Sequence, residues 1–286
     1  MELTQGVRFD TLGLSEPLMR ALEKKNYEVS TPVQAGAIPP MLAWKDVLAK
    51  APTGTGKTFA FGIPILEHIN PADDQVQAVI LAPTRELALQ ITEELRELAV
   101  YMEGVKIICC YGGQPIGKQI NALKRHPQII VATPGRFSDH MKRRTIKVDA
   151  VQTVVLDEAD RMLDMGFIHD VTRILDKIPH RRNLGLFSAT ISREVMDIAW
   201  VYQRDAEEIT VRAEEENKPD IVQYRVDTAA GDRVNVMLRI LEKEHYERVV
   251  VFCNTKGTVE RATKYLQMAG VEAECIHGDI PQAKRE

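Results

Sequence analysis

A chain of 286 residues, 44% hydrophobic and 27% charged, is long enough for more than one domain and has the composition of an ordinary globule. No stretch approaches 18 consecutive apolar residues, and Met1-Glu2-Leu3-Thr4-Gln5 lacks a basic segment followed by an apolar one, so neither a membrane span nor a secretory leader is expected. A net charge of −4 excludes a generally basic surface, so any nucleic-acid site must be a local groove.

In chain order, short apolar runs alternate with amphipathic stretches. Strands are expected at 47–50, 77–82, 105–110, 128–132, 151–156, 184–187 and 207–211, with helices at 57–69, 85–101, 116–124, 135–143, 167–177 and 192–202. This alternation predicts an α/β fold, a parallel sheet with helices on both faces. The run 212–219 is charged, carries a proline and has no apolar period, so 213–219 reads as a linker after a first domain of residues 1–212. In 220–286 the alternation restarts: strand 221–227, helix 232–244, strand 248–253, helix 257–269 and strand 272–276. That second domain would have few strands. Cys109, Cys110, Cys253 and Cys275 show neither zinc spacing nor a disulfide pattern. Cys109 and Cys253 sit inside apolar runs and read as reduced core thiols, which points to a cytoplasmic setting. The basic clusters at 124–126, 142–144 and 180–182 read as helix caps or solvated faces in preference to phosphate grips.

Two motifs carry chemistry. The octet Ala51, Pro52, Thr53, Gly54, Thr55, Gly56, Lys57, Thr58 lies between an expected strand and an expected helix. A glycine-rich turn there leaves backbone N–H groups pointing one way, at the positive end of the helix dipole, as a nest for phosphate. Lys57 would reach the β- and γ-phosphates and the Thr58 hydroxyl would ligate Mg²⁺. Ala51 stands where glycine is usual, a tolerable departure because the later residues build the nest. The second motif, Asp157-Glu158-Ala159-Asp160, ends the apolar run 151–156. Carboxylates at the carboxyl end of a parallel strand face the ligand crevice, so Asp157 would hold Mg²⁺ and Glu158 would orient a water. Together the two motifs make ATP hydrolysis the expected chemistry. Upstream, the rings of Phe9 and Tyr27 could stack on adenine and Gln34 could read its edge, since an amide offers both donor and acceptor. Pro83, Thr84 and Arg85, then Gly112 and Gly113, then Thr133, Pro134, Gly135 and Arg136, each follow a strand, where they suit contacts to a phosphodiester backbone. Ser188 and Thr190 put two hydroxyls at the crevice edge.

Taken in this order along essentially the whole chain, these motifs resemble the DEAD-box family of ATP-dependent RNA helicases, with bacterial members nearest in feel at 161–167. The second domain contributes Val251-Phe252-Cys253-Asn254-Thr255 and His277-Gly278-Asp279 with Gln282 and Arg285. Asn26 and Ser30 depart from the glycine and proline usual in the family. The resemblance implies a RecA-like first lobe and an incomplete second RecA-like lobe, closing on ATP and one RNA strand. It implies a catalytic set of Lys57, Asp157, Glu158, Ser188 and Thr190, with the last two linking the acidic motif to lobe closure. It assigns adenine to Gln34 and the RNA backbone to Thr84, Arg85, Gly113, Thr133 and Arg136, with little sequence specificity. The family's later motifs, including its arginine fingers, do not occur by Glu286. Such fingers are worth roughly 10³–10⁵ in rate. The chain is therefore expected to be C-terminally truncated, to bind ATP, and to turn it over weakly or not at all by itself. A non-catalytic ATP-dependent RNA-binding module, or an inhibitor of a full-length helicase, is the alternative. A DNA-directed relative is disfavoured by Gln34 and Asp160.

Overall fold

The computed structural model describes residues 2–3, 5–211, 221–229, 231–280 and 284. They fall into two compact units, Met1–Lys218 and Pro219–Glu286. The run expected as a linker, Gln282 and Arg285 lie outside the described residues.

In the first unit the elements run β1 (Glu2–Leu3), α1 (Glu16–Lys24), α2 (Pro32–Leu42), β2 (Val47–Lys50), α3 (Lys57–His68), β3 (Ala78–Leu81), α4 (Arg85–Leu98), β4 (Ile107–Cys110), α5 (Ile116–Leu123) and β5 (Ile129–Ala132). They continue α6 (Pro134–Lys142), β6 (Thr153–Asp157), α7 (Ala159–Asp164), α8 (Ile168–Asp176), β7 (Asn183–Ser188), α9 (Arg193–Tyr202) and β8 (Glu207–Val211). The strands form one sheet in the order β1-β8-β2-β7-β6-β3-β5-β4, and every pairing is parallel.

The two-residue period of each strand splits its side chains between two cores. Ala49, Ile80, Val131, Val155 and Phe187 face one side, where they pack with α2, α3 and α4. Leu48, Val79, Leu81, Ile130, Val154 and Leu186 face the other, packing with α6, α7, α8 and α9. Strands covered on both faces need no polar side, which is why β3 and β5 are apolar and buried throughout. Each such Val, Leu or Ile contributes about 1.5–3 kcal/mol by leaving water. A charge at Val155 would sit in the first core without a partner, and would unfold this unit before it disturbed any surface.

All the strands named from the first-unit sequence form, within a residue or two of the expected ends. The sequence reading missed β1, α1, α2 and α7. Helix α2 carries three prolines. Pro32 occupies the first turn, where no N–H is needed, and Pro39 and Pro40 lie in the last turn.

The second unit differs from expectation. Helices α10 (Arg233–Glu244) and α11 (Lys256–Met268) form, but 221–227, 248–253 and 272–276 are not strands. Ile221, Val222, Tyr224, Val250, Phe252 and Ile276 are all exposed. Helix signals act locally: the Thr255 hydroxyl accepts the Thr258 N–H at 3.2 Å and caps α11. A parallel ladder instead needs neighbours and cover on both faces. Among the described residues of this unit only Ala262 and Leu266 are buried apolar side chains, so nothing holds such a sheet together.

Candidate active site

Parallel strands bring all their carboxyl ends to one edge, and every motif singled out in the sequence of the first unit follows such an end or lies against one. Strand order then sorts them. The chain passes from β2 to β3 across two places later filled by β7 and β6. The phosphate loop, Ser188 and Asp157 thus end three adjacent strands, β2, β7 and β6. The register pairs Lys50 with Ser188 and Asp157 with Phe187.

The loop is built as its glycines require. Gly54 and Gly56 have φ of 83° and 85°, in the left-handed region, and Gly56 caps α3. A Cβ on Gly56 would lie 2.5 Å from Gln34 Nε2. Ala51 is fully buried and takes no positive φ, so alanine serves there as well as glycine. Its N–H donates to Ser188 O at 2.9 Å, which ties the root of the loop to β7. The Thr55 hydroxyl donates to Pro52 O at 2.8 Å. Lys57 is buried, and its Nζ donates to Ala51 O at 3.1 Å, across the loop.

Asp157 is buried beside that cation. Burial pushes its carboxyl up to about 6, against the opposing charge of Lys57 and the Glu158 N–H, which donates to Oδ1 at 3.0 Å. Glu158 stands at φ 50°, ψ 50°, a left-handed conformation that costs a non-glycine residue about 1–2 kcal/mol. Such strain persists where the surroundings hold it. It turns the chain sharply from β6 into α7 and leaves Glu158 on the cleft wall, 3.7 Å from Arg161. Asp160 points the other way, toward β7. Its N–H donates to Ser188 Oγ at 3.1 Å. Its Oδ2 accepts the Thr190 N–H at 2.9 Å and the Thr190 hydroxyl at 2.6 Å. Burial raises its carboxyl, but the bonds from Thr190 and Ser188 outweigh that and hold it below the usual range.

Gly54, Gly56, Lys57, Asp157 and Glu158 line a cleft of about 790 Å³ that also takes in Phe9, Tyr27, Gln34, Thr53, Thr58 and Thr84, whereas Asp160, Ser188 and Thr190 lie outside its lining. Gln34 is buried at the first turn of α2. Its Oε1 accepts the Thr31 N–H at 2.9 Å and its Nε2 donates to Gly56 O at 3.0 Å, so it braces the phosphate loop as well as lining the cleft. One lone pair and one N–H of the amide are left over. Of the two aromatics expected to stack, Tyr27 is half exposed, with its ring edge-on to Phe59 at 5.5 Å, whereas Phe9 is buried and offers no open face. Asn26 takes the left-handed φ of 58° that a glycine would supply. Ser30 binds the incoming strand: its Oγ accepts the Val7 N–H at 2.9 Å. Both departures from the family pattern are thereby accommodated.

The set suits a Mg²⁺-nucleotide: backbone N–H groups at a helix start, a buried ammonium, a hydroxyl, and a carboxylate whose ionised form a cation would favour.

The remaining motifs follow β3, β5 and β4, again three neighbours in the sheet. Thr84 caps α4, accepting the Leu87 N–H at 3.2 Å. The Arg85 guanidinium lies 4.9 Å from the Tyr111 ring centroid, near Gly113, whose φ is 87°. Gly112 and Gly113 are exposed. Thr133 and Gly135 are half-buried at the start of α6. Pro83 and Pro134, expected among the backbone-facing residues, are buried; they start helices and present no side-chain surface. Arg136 is held from behind. It donates through one guanidinium nitrogen to Gln114 O at 2.9 Å and to Gln119 Oε1 at 3.0 Å.

Sequence reasoning missed this support. Gln119 is buried, and its amide nitrogen donates to Tyr111 O and Gln114 Oε1, both at 2.9 Å. Its oxygen must therefore be the group facing His140 Nε2 at 3.0 Å, which makes Nε2 the protonated nitrogen of a neutral ring. Nδ1 faces the Thr145 hydroxyl at 2.8 Å, and that hydroxyl also donates to the His140 carbonyl at 3.1 Å. Burial and the Arg136 charge hold His140 below the ordinary histidine value. A lone Gln inside a helix and a lone His at the end of another carry no pattern that would pair them.

Comparison with known proteins bears on this geometry. The DEAD/DEAH box helicase family matches residues 31–198, and the helicase conserved C-terminal domain matches 232–286. A DEAD-box ATP-dependent RNA helicase CshA of Geobacillus kaustophilus is 46% identical over 97% of the chain, which spans 59% of that relative. The protein of that name from Bacillus subtilis is 44% identical over 98% of the chain, which spans 56% of it. The crystal structure of a DEAD box protein from the hyperthermophile Methanococcus jannaschii superposes with a TM-score of 0.69 at 37% identity, covering 98% of the chain and 76% of that protein.

Proposed function

Since this chain belongs to the DEAD/DEAH box helicase family, we propose that it binds Mg²⁺-ATP in the first-unit cleft and couples that binding to gripping and locally opening RNA. The observation that carries the reading is the convergence of Lys57, Asp157, Glu158 and the Asp160–Ser188–Thr190 bonds at the ends of three adjacent strands. Lys57 and the loop N–H groups would hold the phosphates, Thr58 and Asp157 the Mg²⁺, and Gln34 with Tyr27 the base. The metal, when bound, neutralises phosphate charge. Glu158, fixed by its strained turn, orients water and takes its proton. Thr190 and Ser188 grip Asp160, so a shift of the acidic motif on the cleft side is felt at the end of β7. RNA would run along the ends of β3, β5 and β4, meeting Thr84, Arg85, Gly112, Gly113, Thr133, Gly135 and Arg136. Helix starts and arginines touch backbone, not bases, so little sequence preference is expected. A cytoplasmic setting fits four free cysteines, with burial pushing the Cys110 thiol up to about 12. No helix among the described residues is long and apolar enough to cross a membrane.

One observation favours a second reading for these 286 residues taken alone. The second unit forms no sheet among its described residues, and its Arg225 is engaged with Asp227 at 3.0 Å. On this second reading turnover is weak, and the chain is an ATP-dependent RNA-binding module, or an inhibitor of a longer helicase, in place of an autonomous enzyme. The test is ATP hydrolysis with and without single-stranded RNA, with Glu158→Gln as the blank. RNA-stimulated turnover that vanishes in the blank supports the enzyme. ATP binding lost in Lys57→Ala, with no turnover in either case, supports the module. Absence of ATP binding by the parent chain overturns both.

A further inference from the structure

A second cavity, of about 430 Å³, opens at the opposite edge of the sheet, where the chain enters β3, β5 and β6. Its floor is aliphatic: Val76, Ile120, Leu123 and Ile146. Its rim carries Lys124, His126, Arg144 and Lys147, all exposed. None of these four makes an ion pair with any described residue. The one carboxylate in the lining, Asp74, faces Lys106 at 3.4 Å.

Helix ends explain part of this arrangement. Cations near the last turns of α5 and α6 meet the negative ends of their dipoles. They do not explain the backbone. His126 and Arg144 stand at φ 54° and 57°, where a helix normally ends on glycine. Each costs roughly 1–2 kcal/mol in that conformation. Arg144, with Lys124 and Lys147, rings the apolar hollow with unpaired positive charge.

We propose that this cavity is a docking site for an acidic segment of a partner protein, anchored by one apolar side chain in the hollow with its carboxylates on the rim. The lining favours that occupant over nucleic acid. It contains no Phe, Tyr or Trp on which a base could stack. Phosphates would use the cations and leave the aliphatic floor in water. An apolar anchor flanked by Asp or Glu uses both, in the manner of a buried hot spot within a charged rim. The inference does not depend on the helicase reading, because no residue of the cavity belongs to the nucleotide cleft or to the backbone-facing motifs.

The probe is a fluorescein-labelled acetyl-Asp-Glu-Leu-Phe-Glu-Asp amide, titrated into the full chain and followed by anisotropy. Replacing its Leu-Phe by Ala-Ala should weaken binding roughly tenfold or more, the loss expected for an apolar anchor. The double variant Lys124→Glu with Lys147→Glu, both exposed and so compatible with folding, should weaken it about as much while leaving ATP affinity unchanged. An anchor replacement without effect overturns the proposal, since charge alone would then bind the peptide. So does a double variant that binds normally, which places the peptide elsewhere. Displacement of the peptide by oligouridylate, with RNA affinity falling in the same double variant, assigns the surface to RNA and overturns it too.

Discussion

The carboxylate of Asp160 receives the Thr190 N–H and hydroxyl on one oxygen and the Arg161 N–H on the other. In Asp160→Asn one oxygen becomes an NH₂ group. Whichever way the amide turns, a donor faces a donor. Hydrogen bonds to a charged acceptor are worth about 1.5–3 kcal/mol when protected. Thr190 is exposed and Asp160 only partly covered, so solvent screening reduces the loss to ~1 kcal/mol. Both tryptophans, Trp44 and Trp200, lie in the first unit, so urea unfolding followed by their fluorescence reports that unit alone. The bonds hold Asp160 below its ordinary value, and its contribution is therefore complete above about pH 4 and lost as pH falls through the depressed value. Parent and variant should differ by ~1 kcal/mol at pH 7 and converge as pH falls below the depressed value. A double-mutant cycle with Thr190→Val should give a coupling of about 1 kcal/mol. Coupling within about 0.3 kcal/mol of zero, or a deficit undiminished in acid, would refute the idea that this carboxylate joins β6 to β7.

Three further outcomes are expected. Gly56→Ala puts a Cβ 2.5 Å from Gln34 Nε2 at a φ of 85°, so ATP affinity should fall at least about tenfold, read by fluorescent-nucleotide titration; unchanged affinity would mean the loop is not the cradle. Asp157, raised to about 6, must ionise to hold a cation, so Mg²⁺-dependent ATP binding should weaken as pH falls below about 6, and a flat profile between pH 7 and 5 would count against its role. His140 is held neutral below its ordinary value, so the unfolded chain takes up the proton first and stability declines as pH drops through ~6.5. In His140→Gln that decline should shrink, leaving the share due to His68, which burial also lowers; an identical slope in parent and variant would show that the fold does not hold His140 neutral.

The strands and helices of the first unit were legible because their signals are local and strong. A buried parallel strand such as 129–132 is apolar on both faces, and the phosphate loop announces itself by glycines that must take positive φ. The same local logic found α10 and α11. It did not find α2, whose last turn carries Pro39 and Pro40. It failed also for 221–227, 248–253 and 272–276, whose apolar runs read as strands. Strand pairing is a property of neighbours, and no sequence window contains them.

The sequence by itself determined which side chains could do chemistry: Lys57, Thr58, Asp157 and Glu158, each flanked by a strand that would carry it to an edge. Only the tertiary structure decided which of them meet. The order β2-β7-β6 sets the phosphate loop, Ser188 and Asp157 side by side, and β3-β5-β4 gathers three separate loops into one strip at the sheet edge. It also turned Phe9, Pro83 and Pro134 inward and supplied Gln119 and His140 behind Arg136. Strand order and burial depend on contacts between residues far apart in the chain, so they are written in packing and not in any local run of residues.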